Sequence, residues 1–270
     1  MIKRIFSNYG EVLLGWKVWI ASFTVFMLFQ LDAGMPISFD EYHWNVLRES
    51  YDFKIILISC IYFGMYICMM CITATIGFGL QFHKEWKSGV VPQLVSKMGL
   101  KKYSTLYVLL AMLSGGLINL TGYSLYAWYM GRRVLYINTM AAQTDTHEFA
   151  YAFSLSDESG IQYVMIMGIL YLVVGAVASV IALYVSTLTE NKYLVMFSPY
   201  LILRCYTEFC KAIGIPDNLR IDYYLLGRVD IGDSFTEFIV IIVIVLFVVA
   251  VIGQHFFKKG VRGRLVNGKY

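Results

Sequence analysis

The sequence predicts an all-α polytopic membrane protein with six transmembrane helices, cytoplasmic N- and C-termini and an amphipathic helix between spans two and three. Three observations carry that prediction. Hydrophobic residues make up 59% of the 270 positions, only 15% are charged, and the mean hydropathy is +0.64. The apolar residues fall in runs of roughly 20, the length a helix needs to cross a bilayer. Lysine and arginine gather in alternate loops, as the inner loops of membrane proteins require. Helices satisfy their own backbone groups in lipid, whereas a barrel would show short alternating strands. This composition excludes a disordered chain, a water-soluble enzyme and a nucleic-acid reader.

The spans are read at about 12–31, 55–80, 103–130, 161–187, 193–213 and 235–257. Before the first, residues 1–11 place Ile2, Ile5, Phe6 and Tyr9 on one face, with Lys3 and Arg4 beside it. That pattern fits an interfacial helix or a frayed basic terminus, and the helix is favoured. No small-residue cleavage motif follows span one, so a removable signal peptide is not expected. With the N-terminus inside, the inner segments hold Lys84, Lys87, Lys97, Lys101, Lys102, Lys192, Lys258, Lys259, Arg262 and Arg264. The outer loops collect acids such as Asp40, Glu41, Asp145, Glu148, Asp222 and Asp230. The whole chain, 1–270, reads as one transmembrane domain, with an inner loop at 83–102 and an outer loop at 214–234 before the last span.

Span two carries Met65, Cys68, Met69, Met70 and Cys71. Soft sulfur ligands suit Cu(I), but Cys and Met also fill apolar cores, and no histidine or acid joins them. No metal site is expected. All five cysteines lie in apolar segments, which argues against a disulfide framework. Spans three and four hold Ser114, Gly115, Gly116, Asn119, Gly175 and Ser179, small and polar residues that let helices approach closely. Asn119 is also a candidate wall of a translocation path. The link 188–192 is short enough to make spans four and five antiparallel neighbours.

Span five contains Pro199, Arg204, Glu208 and Lys211. Measured from Tyr193 at 1.5 Å per residue, Arg204 lies about 16 Å deep, near mid-membrane. A charge there costs about 2.5–3.5 kcal/mol and usually faces a cavity or a partner. Arg204 and Glu208, one turn apart, are therefore a candidate polar site on the translocation path. The other reading is a self-neutralised pair near the outer interface. Span six, FIVIIVIVLFVVAVIG, is uniformly apolar and expected to face lipid.

The loop HKEWKSGVVPQLVSKMGLKKY at 83–103 is the most informative segment. Pro92 suits the first turn of a helix and Gly99 the position past its end. Val91, Leu94, Val95 and Met98 then form one apolar stripe. Such a helix could lie on anionic lipid or press into a groove on a cytoplasmic partner.

Here the chain resembles the ABC type-2 permeases, the membrane subunits of ATP-driven exporters. Their loop after span two has a Glu, then a Gly, then a basic-x-Gly-x-x-Lys stretch, matched by Glu85, Gly89, Lys97, Gly99 and Lys102. The resemblance implies a small bacterial exporter of the peptide or lantibiotic kind, in the plasma membrane. It further implies that Glu85, Trp86, Gly89, Val91, Leu94, Val95, Lys97, Met98, Gly99 and Lys102 form a coupling interface with cytoplasmic nucleotide-binding ATPase subunits. A second copy or a sister permease would complete the pore. The chain has no G-x-x-x-x-G-K-[ST] loop; its one Gly-Lys pair is Gly268-Lys269. It is thus expected not to be an enzyme and to hold no cofactor, with ATP and Mg on the separate ATPase. An energy-independent channel or secondary carrier using Arg204 and Glu208 is the alternative.

Overall fold

In a computed structural model, residues 10, 15–32, 67–134, 161–225 and 229–266 are described, and every regular element among them is helical. The order is α1 (Trp16–Asp32), a 3-10 turn (Ile67–Met69), α2 (Met70–Ala74), α3 (Gln81–Lys87), α4 (Val90–Met98), α5 (Leu100–Val134) and α6 (Ile161–Ser186). Then follow α7 (Lys192–Ile213), a 3-10 turn (Asp217–Leu219), α8 (Ile221–Leu225) and α9 (Phe235–Val266). The interfacial helix expected at 1–11, the start of span two and the loops at 33–54 and 135–160 lie outside the described residues, Gly10 excepted.

Helices α5, α6 and α9 are each long and apolar enough to cross a membrane. Helix α1 has 17 residues. Helix α7 has 22 and carries Lys192, Arg204, Glu208 and Lys211.

The antiparallel pair α5–α6 forms the centre of the bundle. Their backbones nearly touch where Gly115 meets Gly175, because a side chain on either glycine would collide with the other's carbonyl oxygen. Two cores follow along this pair. In one, Phe29 of α1 lies 5.3 Å from the rings of Tyr123 and Tyr126 and 5.0 Å from Tyr171. In the other, the first half of α5 and the second half of α6 enclose Phe78, Phe82, Trp86, Val91, Tyr103, Tyr107 and Phe257. The aromatic residues at both ends are thus core, each contributing stacking beyond its buried area.

Helix α9 lies on the rim. Only 11% of its most apolar stretch is buried, against 67% for α6, so its Val243, Phe247 and Val251 are exposed on the outside of the bundle. It meets α6 along a narrow line: a Cβ on Gly253 would lie 2.5 Å from Val180, and one on Gly260 would strike Thr187.

Span two differs from the continuous helix expected at 55–80. Its described part stops at Ala74, runs through turns at 75–80 and resumes as α3. Thr73 and Thr75 hydroxyls bond back to the carbonyls of Met70 (2.9 Å) and Ile72 (2.8 Å), offering the chain an alternative to the helical ladder. Neighbours satisfy the exposed backbone: Phe78 N–H donates to Ser114 Oγ (3.1 Å), and Ser179 Oγ donates to the Ala74 carbonyl (2.8 Å). Buried backbone groups outside a helical ladder need partners of this kind.

Candidate functional site

The 83–102 segment folds as two short helices joined by Gly89, at φ +69°, and closed by Gly99, at φ +80°. Both angles lie in the left-handed region that favours glycine, so the two glycines let the chain end α3 and α4 and start the next helix without strain. Pro92 sits in the first turn of α4 and Gly99 ends it, as the sequence indicates.

The apolar stripe of α4 turns toward the protein itself. Val91 is wholly buried, and Leu94 and Val95 pack against the same cluster. Trp86 is buried beside Phe82 (5.7 Å), which lies 5.1 Å from Phe257 of α9. Glu85 is buried and accepts a hydrogen bond from Gln81 Nε2 at 2.7 Å. Among the residues expected at the coupling interface, Glu85, Trp86 and Val91 are therefore internal. Gly89, Leu94, Val95 and Met98 are half-buried, while Lys97, Gly99 and Lys102 are exposed. The outward face of α4 is Gln93, Ser96 and Lys97. Periodicity finds such a stripe; the chain itself buries Val91 and leaves Leu94, Val95 and Met98 half-buried.

Arg264 near the end of α9 locks the same region. Its Nε and Nη2 donate to the carbonyls of Thr187 (2.7 Å) and Thr189 (3.0 Å), beyond the last turn of α6. Its guanidinium also stands 5.4 Å over the Trp86 ring. A cation on the negative end of a helix is favourable. Burial pushes the His83 imidazole below its ordinary 6.5, and the nearby charges of Lys87 and Arg264 push the same way.

The second candidate lies on α7. Asn191 caps its start by accepting from the N–H groups of Tyr193 (3.0 Å) and Leu194 (3.4 Å), and Gly214 at φ +72° ends it. Arg204 Nη2 meets Glu208 Oε1 at 2.9 Å, and Lys211 Nζ meets the same oxygen at 3.5 Å. All three side chains are about half exposed, with Leu201 and Phe197 on the same face. Asn119, in contrast, is fully buried at the α5–α6 crossing beside Gly175, and neither atom of its amide has a hydrogen-bond partner. One candidate points outward and the other inward, so they do not form one site.

A further ion pair was not singled out by the sequence. Arg220 Nη2 and Asp222 Oδ2 stand 2.7 Å apart with side chains 5% and 3% exposed. Thr207 of α7 donates to the same carboxylate at 3.0 Å, and Arg220 stacks 4.2 Å over Tyr223. Burial raises the Asp222 carboxyl, but the bonds from Arg220 and Thr207 outweigh it and hold it below the ordinary range. The R-x-D spacing was the available signal. It reads as ordinary loop charge until the loop is folded onto α7.

Among the described residues, no three His, Cys, Asp or Glu side chains cluster closely enough to hold a metal ion. Comparison of the chain with protein-family models, with curated proteins and with solved structures finds no match.

Proposed function

We propose that this protein is the membrane-spanning permease subunit of an ATP-driven exporter, moving an amphipathic substrate such as a peptide out of the cell. The one observation that carries the reading is the construction of α4. Its inner edge is keyed through Val91 to residues of α3, α5 and α9, and its outer edge presents Gln93, Ser96 and Lys97. A helix so held moves only with the bundle, which suits a part that receives a push from a cytoplasmic ATPase. Charged and polar groups at such a surface give register and specificity.

In this reading six helices cross the plasma membrane of a bacterial cell, with both termini inside. Helix α7, at 22 residues, is about 33 Å long, enough for a hydrocarbon core of about 30 Å. Its Arg204–Glu208–Lys211 face is poorly suited to lipid tails, and a second permease copy or a sister permease gives it a polar environment. ATP and Mg act on the partner ATPase, and Glu85 serves as an internal brace of the coupling segment.

The test is photo-crosslinking from Ser96 and Lys97 in intact cells, combined with ATP turnover of the co-purified complex. The expected result is capture of an ATPase subunit whose turnover the permease raises. Capture of phospholipid alone at both positions removes the reading.

The interrupted helix after Ala74 favours a second reading, a secondary carrier or channel. Discontinuous membrane helices often build substrate and ion sites, and Ser114 and Ser179 already attend the break. Transport by the reconstituted chain without any ATPase separates this reading from the first.

A further inference from the structure

We propose that the cavity between the C-terminal ends of α6 and α9 binds the headgroup of an anionic phospholipid, with Lys259 and Arg264 holding its phosphate. The cavity measures about 460 Å³. Its lining combines Tyr184, Leu188 and Phe256 with the charged Lys259, Arg264 and Glu190. The Tyr184 and Phe256 rings pack at 5.5 Å. Gly263 leaves space at the edge, since nothing lies within 4 Å of where its Cβ would stand.

Charge and shape together select the ligand. Two cations against one carboxylate leave this lining with one net positive charge, matching a headgroup of one net negative charge. A guanidinium has five N–H donors, and the carbonyls of Thr187 and Thr189 engage only Nε and Nη2 of Arg264. Glu190 is exposed and acceptor-only, so it suits a headgroup that also carries hydroxyl donors, as glycerol does. Phosphatidylglycerol has both features.

The acyl chains have a prepared surface. Val248, Ile252 and Phe256 are exposed and fall on one stripe of α9 that leads to Lys259, three residues beyond Phe256. A phosphate at Lys259 therefore sits at the end of an apolar track. A free phosphate would gain nothing from that track, which is why a lipid is the occupant. Basic pockets between membrane helices are a general means of holding anionic headgroups.

This inference needs α6 and α9 to lie in a bilayer. It does not depend on an exporter role or on which leaflet faces the cytoplasm, so its failure and that of the exporter reading are distinguishable. The experiment is native mass spectrometry of the full chain, delipidated in detergent and titrated with phosphatidylglycerol, phosphatidylethanolamine or phosphatidylcholine.

One phosphatidylglycerol is expected to be retained in preference to the other two lipids. Lys259→Gln should weaken it about fivefold, the factor that one basic residue supplies at a membrane surface. Gly263→Leu, which fills the cavity and keeps every charge, should abolish it. Lys101→Gln, equally basic but on α5, should leave it unchanged. Glycerol 1-phosphate at the same concentration should not displace the lipid. Equal retention of all three lipids, wild-type retention by Lys259→Gln, or displacement by glycerol 1-phosphate would overturn the proposal. Lys259 is exposed, so its variant reads binding even where Gly263→Leu does not fold.

Discussion

Arg264 Nε donates to the carbonyl of Thr187 at 2.7 Å, joining the last turns of α9 to the end of α6. With the second bond to Thr189, this contact makes the α9 terminus part of the bundle rather than a loose tail. Replacing Arg264 by alanine removes two charge-assisted hydrogen bonds in a half-buried setting. The expected loss is about 1–3 kcal/mol, seen as a lower unfolding midpoint in detergent. An unchanged midpoint would show the contact to be ornamental.

Val91 and Ser96, five residues apart on α4, should behave oppositely. Val91→Ala leaves a void in a closed cluster and should cost about 1–2 kcal/mol in thermal stability. Ser96→Ala should stay within about 0.5 kcal/mol yet, on the proposed exporter reading, weaken the coupling to an ATPase. Comparing melting curves with ATP turnover for the two variants checks this division. The same stability cost at both positions would refute it.

The α5–α6 crossing should not tolerate a methyl group. In Gly175→Ala the new Cβ meets the Gly115 carbonyl, which is backbone and cannot swing aside. Overpacking of this kind costs about 1–3 kcal/mol or more, so the yield of folded protein should fall sharply. Gly263→Ala, with open space around it, is the control.

Asp222 predicts an acid-sensitive step. Its carboxyl is held below the ordinary value of 3.8, so the folded state favours the charged form. That stability is complete above pH 3.8 and is lost as the pH falls through the depressed value. Asp222→Asn should remove this acid limb. It should also cost about 1–3 kcal/mol at neutral pH, because the buried charge-assisted contact between Arg220 and Asp222 at 2.7 Å is lost. Unfolding midpoints followed from pH 7 down to pH 2 would reveal an unchanged acid limb if the pair is unimportant.

Arg204→Ala is expected to abolish transport in a reconstituted system while the protein still assembles. Glu208 keeps Lys211 at 3.5 Å as a counter-charge when Arg204 is removed. Stability should therefore hardly change. Full transport by the variant would remove Arg204 from the translocation path.

Local chemistry was legible in the sequence wherever a residue type has one physical use. Gly99 ends α4 and Pro92 sits in its first turn because few residues serve those positions. The apolar, outward-facing character of α9 follows directly from a run without a polar face. The burial of Val91 was not legible, since periodicity shows that a face is apolar without saying what covers it. The break after Ala74 was hidden because Thr75–Leu80 stays apolar overall. Gly77 and Gly79 were its faint signal. Arg220 and Asp222 looked like solvated loop charges, and only the return of α8 onto α7 makes them an enclosed pair.

The length of α9 has a mechanical consequence. At 32 residues it is about 48 Å long, whereas the oily layer is only about 30 Å thick. If α9 crosses a bilayer, the surplus projects beyond it as one continuous helix that bears Lys258, Lys259, Arg262 and Arg264. Because Arg264 ties that end to the close of α6, a sideways force on it would be shared with the bundle rather than carried by α9 alone.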